Sequence, residues 1–281
     1  MINFKNNKEF VDILKKLKSK CLSKSMILHS DIFKLGFINT NLSYNKNLEL
    51  IHDLILEVFW DFNVVVPTFN YDFLSTKFYD VKRDKSQVGT LNEYFRKRYI
   101  INRTYTPVFN TVSTKKNSIQ DKISCIDPHG KESFYENAYK KKFDVLCLGK
   151  FIPAMAHFVE RKLNVPYRYK KKFTGKIKYP NGKISPILIN YNVRPPSNCE
   201  NIETDFKKII KDLKKNKILY NIENKNSFVA CFNARVVADF WIKKTSKNKF
   251  YFLTKKSKKK AKVLIKNFGN PLKFKSVENN F

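Results

Sequence analysis

The apolar positions of the chain first recur at helical spacing. Phe10, Ile13, Leu14 and Leu17 fall on one face of residues 8–20, with lysines opposite. Residues 25–29 (SMILH) then predict a short buried strand. The polar turn His29-Ser30-Asp31 follows it, and Ser30 or Asp31 can cap a short helix ending at Gly36. Leu48, Ile51, Ile55, Val58 and Phe59 return at spacings of three and four, which predicts a helix over 46–60. Residues 63–67 (NVVVP) predict a second buried strand that stops at Pro67. Helix, strand, helix, strand is an α/β order.

Residues 68–86 lose periodicity directly after a strand, where α/β proteins place binding loops. Thr90 and Glu93 have capping-box spacing, so a helix is predicted over 91–98. Residues 99–135 are irregular, with a possible strand at 108–113. Residues 143–148 (FDVLCL) predict a third buried strand, closed by Gly149. A helix over 154–163 comes next, with Pro166 beyond its end. Residues 167–193 alternate as antiparallel strands around a turn at Pro180-Asn181-Gly182. A helix over 204–215 turns Phe206, Ile209, Ile210 and Leu213 inward. Short strands at 217–222 and 227–232, a helix near 234–244 and a strand at 249–253 complete the pattern. From Lys255 lysine is mixed with little apolar material, and order or looseness is equally compatible with that. The expected fold class is α/β: a central, mostly parallel sheet flanked by helices, with an α+β C-terminal part packed against it.

Composition sharpens this only in part. The chain has 281 residues, 42% hydrophobic and 15% aromatic, ample for a core. No apolar run approaches the roughly 18 residues that a spanning helix needs. Lysines interrupt the apolar positions of the N-terminus, so no signal peptide is read there and a cytoplasmic protein is expected. Cys21, Cys125, Cys147, Cys199 and Cys231 are an odd set without CxxC spacing, which favours free, mostly buried thiols over zinc. Lys plus Arg is 56 against 24 acids, a net charge of +32. A nucleic-acid-binding protein is one reading of that excess. However, only eight of the 56 are Arg, the residue that base and phosphate recognition favours, and the lysines are spread along the chain. What the charge establishes is a field that attracts anions and repels cations.

Four histidines narrow the search for a base at neutral pH: His29, His52, His129 and His157. His52, beside Asp53, is expected on a solvated helix face. His29 enters a turn, and His129 sits in the loop Asp127-Pro128-His129-Gly130. His157 lies on the helix after the strand at 143–148, with Glu160 three residues on and so on the same face. A His–Glu pair supports general-base chemistry, because the carboxylate stabilises the imidazolium. The same spacing also makes an ordinary surface pair. HExxH, GxGxxG, the P-loop and GxSxG are all absent.

Taken in order, the pieces resemble a known family. They are His29-Ser30-Asp31 before Leu35-Gly36, then Pro67-Thr68-Phe69-Asn70-Tyr71-Asp72-Phe73 and Ser86-x-Val88-Gly89. Arg103-Thr104-x-Thr106-Pro107, Gly130-x-x-Ser133 and Leu146-x-Leu148-Gly149 follow. Last come His157-x-x-Glu160 and Val165-Pro166-Tyr167-Arg168. The set resembles the aminoglycoside 3-N-acetyltransferases, the antibiotic acetyltransferases that use acetyl-CoA and are distinct from the GNAT fold. The match runs from about Met26 to Gly175. The resemblance implies one antibiotic acetyltransferase-like domain over 1–281, with a variable acceptor-side part at about 176–254 and a basic tail at 255–281. It implies direct transfer from acetyl-CoA to an amine in a ternary complex, without a metal. His157 is then the expected base, assisted by Glu160. His29, Ser30, Asp31, Thr68, Ser86, Val88, Gly89 and Thr104 are expected around CoA. Asn70, Tyr71, Asp72 and Arg168 are expected to contact the acceptor. The Thr68 hydroxyl, or a nearby N–H, is the expected donor to the developing oxyanion.

The chain departs from the family pattern at Thr106, at Pro153-Ala154-Met155-Ala156 and at His129-Gly130. These changes spare the base and alter the acceptor side. A +32 protein also repels a polycationic aminoglycoside and attracts a sugar carrying a diphosphate. Tyr167, Tyr169, Tyr179, Tyr191, Lys170 to Lys172 and Arg194 can stack a base and hold a diphosphate, or be a plain lysine-rich surface. The expected acceptor is therefore a nucleotide-linked amino deoxysugar of surface glycan or lipopolysaccharide biosynthesis. Aminoglycoside modification is the alternative.

Overall fold

Asn6 accepts a hydrogen bond from the Glu9 amide and starts α1 (Asn7–Lys18), whose Phe10, Ile13, Leu14 and Leu17 are buried. The computed structural model describes residue 4 and residues 6–116, 127–195, 201–224 and 227–278. After α1 come β1 (Ser25–Ser30), α2 (Ile32–Leu35), α3 (Tyr44–Val58), β2 (Asn63–Pro67), α4 (Phe73–Thr76), β3 (Phe78–Asp80) and α5 (Thr90–Arg98). Then follow β4 (Thr111–Ser113), α6 (Phe134–Lys140), β5 (Asp144–Gly149), α7 (Met155–Lys162), β6 (Tyr169–Lys178) and β7 (Ile184–Val193). The chain continues with α8 (Phe206–Lys215), β8 (Tyr220–Asn224), β9 (Ser227–Asn233), α9 (Ala234–Lys247), α10 (Lys255–Phe268) and α11 (Phe274–Glu278).

A six-stranded sheet in the order β4-β2-β1-β5-β9-β8 organises the molecule. Its middle, β2-β1-β5, is parallel, and β4, β9 and β8 each run antiparallel to their neighbours. The sheet was expected to be mostly parallel; its parallel pairing is confined to the three central strands. Helices cover both faces. Met26, Leu28, Val64, Val66, Leu146 and Leu148 pack toward α1, α3 and α5. Ile27, Val65, Val145 and Cys147 point the other way, into a core with Phe158 of α7 and Trp241 of α9. This period-two split is what parallel strands buried on both faces require.

A second sheet, β3-β6-β7, is dominated by the hairpin β6–β7, paired from Tyr169↔Val193 to Lys178↔Ile184. The basic tail folds into helices: Ala261 and Leu264 of α10 and Val277 of α11 pack with Val165, Tyr167, Tyr169 and Leu253. Its few apolar residues recur at helical spacing, and that was enough to cover Tyr167.

Three local expectations need correction. Residues 249–253 form turns rather than a strand, with Tyr251 and Leu253 amides bonded to Asn248 and Phe250 carbonyls. The cap of α5 is Gly89, not a Thr90–Glu93 box. Glu93 instead accepts from the Ser86 amide and pairs with Arg96. Phe206 of α8 is 43% exposed rather than inward. Of the cysteines, Cys21, Cys147 and Cys231 are free thiols, the last two buried. Cys125 and Cys199 lie outside the described residues.

Candidate active site

The carboxyl ends of β1, β2 and β5 open into a cleft of about 280 Å³. Such crevices at strand ends are where open α/β sheets bind ligands. Gly149 ends β5 with φ 85°, and a Cβ there would lie 2.1 Å from the Asp31 carbonyl oxygen, so only glycine lets the two turns meet. Phe151, Ile152, Pro153 and Ala154 then lead along the cleft into α7, which delivers His157 to its wall.

The His157 side chain is 38% exposed, whereas Glu160 is fully buried behind it. Nδ1 of His157 lies 3.1 Å from Glu160 Oε2 and 2.9 Å from Nη2 of Arg168. Nη2 of Arg168 is closer still to Glu160 Oε2, at 2.7 Å, and a guanidinium proton is held most strongly by a carboxylate. The neutral tautomer whose Nδ1–H donates to Glu160 is the one that carries its lone pair on Nε2, on the cleft side. Glu160 is held in turn by the Tyr167 hydroxyl, donating at 2.8 Å, and by Arg194 at 3.2 Å. Arg168 also donates to the Asn192 carbonyl.

Burial alone would raise the Glu160 carboxyl, but the Arg168 and Arg194 guanidiniums outweigh it and hold the carboxyl well below its usual range. Burial lowers the His157 imidazole; the Glu160 hydrogen bond opposes this and the two arginines add to it. A histidine lowered below 6.5 is neutral at pH 7 and able to accept a proton. An NMR titration of the His157 ring is expected to give a midpoint below 6.5, and a lower one in Glu160→Gln, where the opposing carboxylate is gone. A midpoint above 6.5 in the unaltered protein contradicts this. For stability the sign is the reverse of a salt-bridged histidine. The unfolded chain binds the proton more readily, so His157 disfavours the fold as pH falls below 6.5.

His29, Ser30, Val88, Tyr71 and His157 are the expected site residues that line the cleft together. Burial lowers the His29 imidazole to about 4, so it too stays neutral. Asp31 caps α2 through the Lys34 amide. Thr68 is fully buried, and its hydroxyl donates to Asn110 Oδ1 at 2.6 Å, so it is spent away from the cleft wall. Thr104 accepts from the Thr111 amide and is likewise buried. The Ser86 hydroxyl accepts from the Val88 amide and Gly89 caps α5, so both shape the loop that presents Val88. Asn70 donates to the Lys85 carbonyl and Asp72 accepts from Gln87. They brace the loop that carries Tyr71. Arg168 stands behind the dyad instead of on the wall.

His52 departs from its expected solvated state. It is buried among Tyr94, Phe95 and Tyr99, bonded to Asp53 and the Tyr99 hydroxyl. Aromatic neighbours from α5 reach it, which no spacing within α3 reveals. His129 is buried against Phe109, Tyr135 and the His157 ring, whose centroid lies 5.3 Å away. Lys150, Phe69, Phe109, Tyr191 and Phe206 complete much of the wall. None of the described residues lining the cleft is acidic.

Among the described residues no helix is long and apolar enough to cross a membrane, and no His/Cys/Asp/Glu group is suited to a metal. No curated protein matches the chain in sequence. Solved structures do share its fold. One is described as AAC-IIIb in binary complex with CoASH (TM-score 0.69, 15% identity, covering 87% of this chain and 97% of that one). Others are aminoglycoside acetyltransferase AAC(3)-Xa (0.67, 14%, 86% and 93%) and the YokD protein from Bacillus subtilis (0.64, 16%, 85% and 93%). The sequence model of the aminoglycoside 3-N-acetyltransferase family matches residues 59–245, more than half of the chain, and includes the His157–Glu160 helix. The chain therefore belongs to the aminoglycoside 3-N-acetyltransferase family and is a CoA-dependent N-acetyltransferase.

Proposed function

We propose that the protein acetylates the amino group of a nucleotide-linked amino deoxysugar destined for a surface glycan, with His157 as general base. The observation that carries the acceptor class is the cleft beside His157. Its described wall offers aromatic rings and Lys150, and no carboxylate. A polycationic acceptor desolvated there would find no countercharge, whereas a diphosphate would meet a favourable field. The proton balance suits the dyad. The acceptor nitrogen forms its bond to the acetyl carbon, the C–S bond breaks, and the nitrogen's proton passes to Nε2 of His157. Glu160 stabilises the imidazolium so formed and keeps the ring turned toward the cleft. Bound acetyl-CoA supplies an activated acyl group with a thiolate leaving group. The protein fits it through an open crevice at the strand ends, with Lys150 on its wall.

Aminoglycoside modification is the second reading, favoured by the family match. Thiol release from acetyl-CoA separates the two when dTDP- and UDP-linked amino deoxysugars are compared with kanamycin-type amines. Turnover of the nucleotide sugars is expected, with a KM that rises with ionic strength as screening weakens the field. Turnover of the aminoglycosides alone would replace this reading by the second. The remaining reading of the charge, nucleic-acid binding without CoA affinity, predicts steeply salt-dependent retention of DNA or RNA instead.

A further inference from the structure

Leu22 and Trp60 are 73% and 75% exposed, among the most exposed large apolar side chains described. The loop that carries Leu22, between α1 and β1, is pinned. The Leu22 and Ser23 amides donate to the Asp144 carboxylate at the start of β5, at 2.8 and 2.7 Å, and the Leu22 side chain is left in solvent. Trp60 stands in the turn between α3 and β2.

Lysines join the two into one face. Lys18 Nζ lies 6.0 Å from the Trp60 ring centroid and 5.5 Å from that of Phe62, and Lys24 Nζ lies 4.9 Å from Phe62. Lys15, Lys18 and Lys24 line one hollow with Leu22. Leu22 is shared with a second hollow, which holds Lys20, Lys217 and Tyr220, and Lys20 Nζ stands 5.4 Å over the Tyr220 ring. None of the described residues lining either hollow is acidic; Asp61 pairs with Lys18 and Lys24 beside them. The segments involved lead into β1, β2 and β8, so the face lies at the amino ends of these strands. The cleft opens at the opposite, carboxyl ends of β1, β2 and β5.

Exposed apolar side chains ringed by ammonium groups suit one kind of surface. At a bilayer interface a Trp ring rests at headgroup depth, a Leu reaches the acyl boundary, and lysines hold anionic phosphates while their stems cover apolar area. A nucleic acid would favour arginine, and no arginine is among the described residues lining either hollow. We propose that this face docks the protein on an anionic lipid surface, with Leu22 and Trp60 entering the headgroup layer and the lysines around them pairing with its phosphates. Docked so, the protein keeps the cleft turned toward solution.

The test is sedimentation of the full chain with phosphatidylcholine vesicles, with and without phosphatidylserine, read together with tryptophan emission. The chain has two tryptophans and Trp241 is fully buried, so a change of emission on vesicle addition reports Trp60. Binding to the phosphatidylserine vesicles alone, with a blue shift, is expected. The shift is decisive because a +32 protein is drawn to any anionic surface, and only burial of Trp60 identifies the face that meets it. Lys15→Ala with Lys20→Ala should weaken binding about 25-fold, at roughly fivefold per lysine near such a surface. Lys256→Ala with Lys259→Ala removes the same charge from exposed positions of α10 and should change it less than about twofold, because the field is screened within a Debye length. Equal losses from the two lysine pairs, or binding without a blue shift, overturn the proposal. So does a shift produced by single-stranded RNA and not by vesicles, which would give the face to a nucleic acid. A self-association abolished by Trp60→Ala would give it to a second copy and overturn the proposal as well.

Discussion

His157→Ala is expected to lower kcat by about two to four orders of magnitude, the range a positioned general base supplies. The loss should fall on kcat. The nitrogen of the acceptor sheds its proton only as it attacks, so the base acts in the transition state more than in the bound complex. CoA affinity should stay within a few-fold of the unaltered protein. Thermal stability should change little, because the ring is 38% exposed and its removal leaves no sealed cavity. Measured with the natural acceptor at saturation, near-full turnover by His157→Ala would remove the histidine from the chemistry.

Glu160→Ala is expected to give the largest stability loss of any site variant, about 3–5 kcal/mol, the cost of leaving a buried charge without its partner. Arg168 decides the magnitude. Its side chain is only 4% exposed, its Nε already lacks a hydrogen-bond partner, and Glu160 is the carboxylate it meets. Arg194 is 22% exposed and can turn toward water, which keeps the cost from doubling. At about 2–4 °C per kcal/mol for chains of this size, the melting temperature should fall by roughly 6–20 °C. The pH dependence follows from the depressed Glu160 carboxyl. Its contribution is complete above the ordinary carboxylate value of about 4.5 and is lost as pH falls through the lower folded value. Unaltered protein and Glu160→Ala should therefore converge in stability in strong acid. Equal melting temperatures at pH 7 would contradict the buried ion-pair account. Activity should fall as well, since no carboxylate then stabilises the imidazolium that forms on His157.

The dyad and its scaffold were legible for a local reason. The His157–Glu160 spacing, the buried runs at 25–30, 63–67 and 144–149, and the glycine after the third strand all sit within a few residues of what they imply. The partners of Glu160 were not. Tyr167 and Arg168 come from the stretch between α7 and β6 and Arg194 from just beyond β7, and they meet the carboxylate only in the folded chain. Arg168 was expected at the acceptor and lies behind the base. A sequence cannot say which end of a guanidinium is buried. Thr68 was misplaced for the same reason. Its hydroxyl satisfies Asn110, 42 residues away, in a buried knot where Arg103 also donates to Asn110 and to the Thr68 carbonyl. Unpaired polar groups in such a place cost too much to stay free for a ligand.

The sequence by itself determined the alternation of elements, the central parallel strands, the family and the histidine with its carboxylate, because hydrophobic period and short-range spacing act within one element. Only the tertiary structure decided that the carboxylate is sealed under two arginines and a tyrosine, that the lysine-rich tail folds over that tyrosine, and that the cleft wall carries aromatic rings without an acid. Those are contacts between distant segments. Their energies depend on burial and on which charges share a cavity, quantities that exist only once the chain has closed on itself.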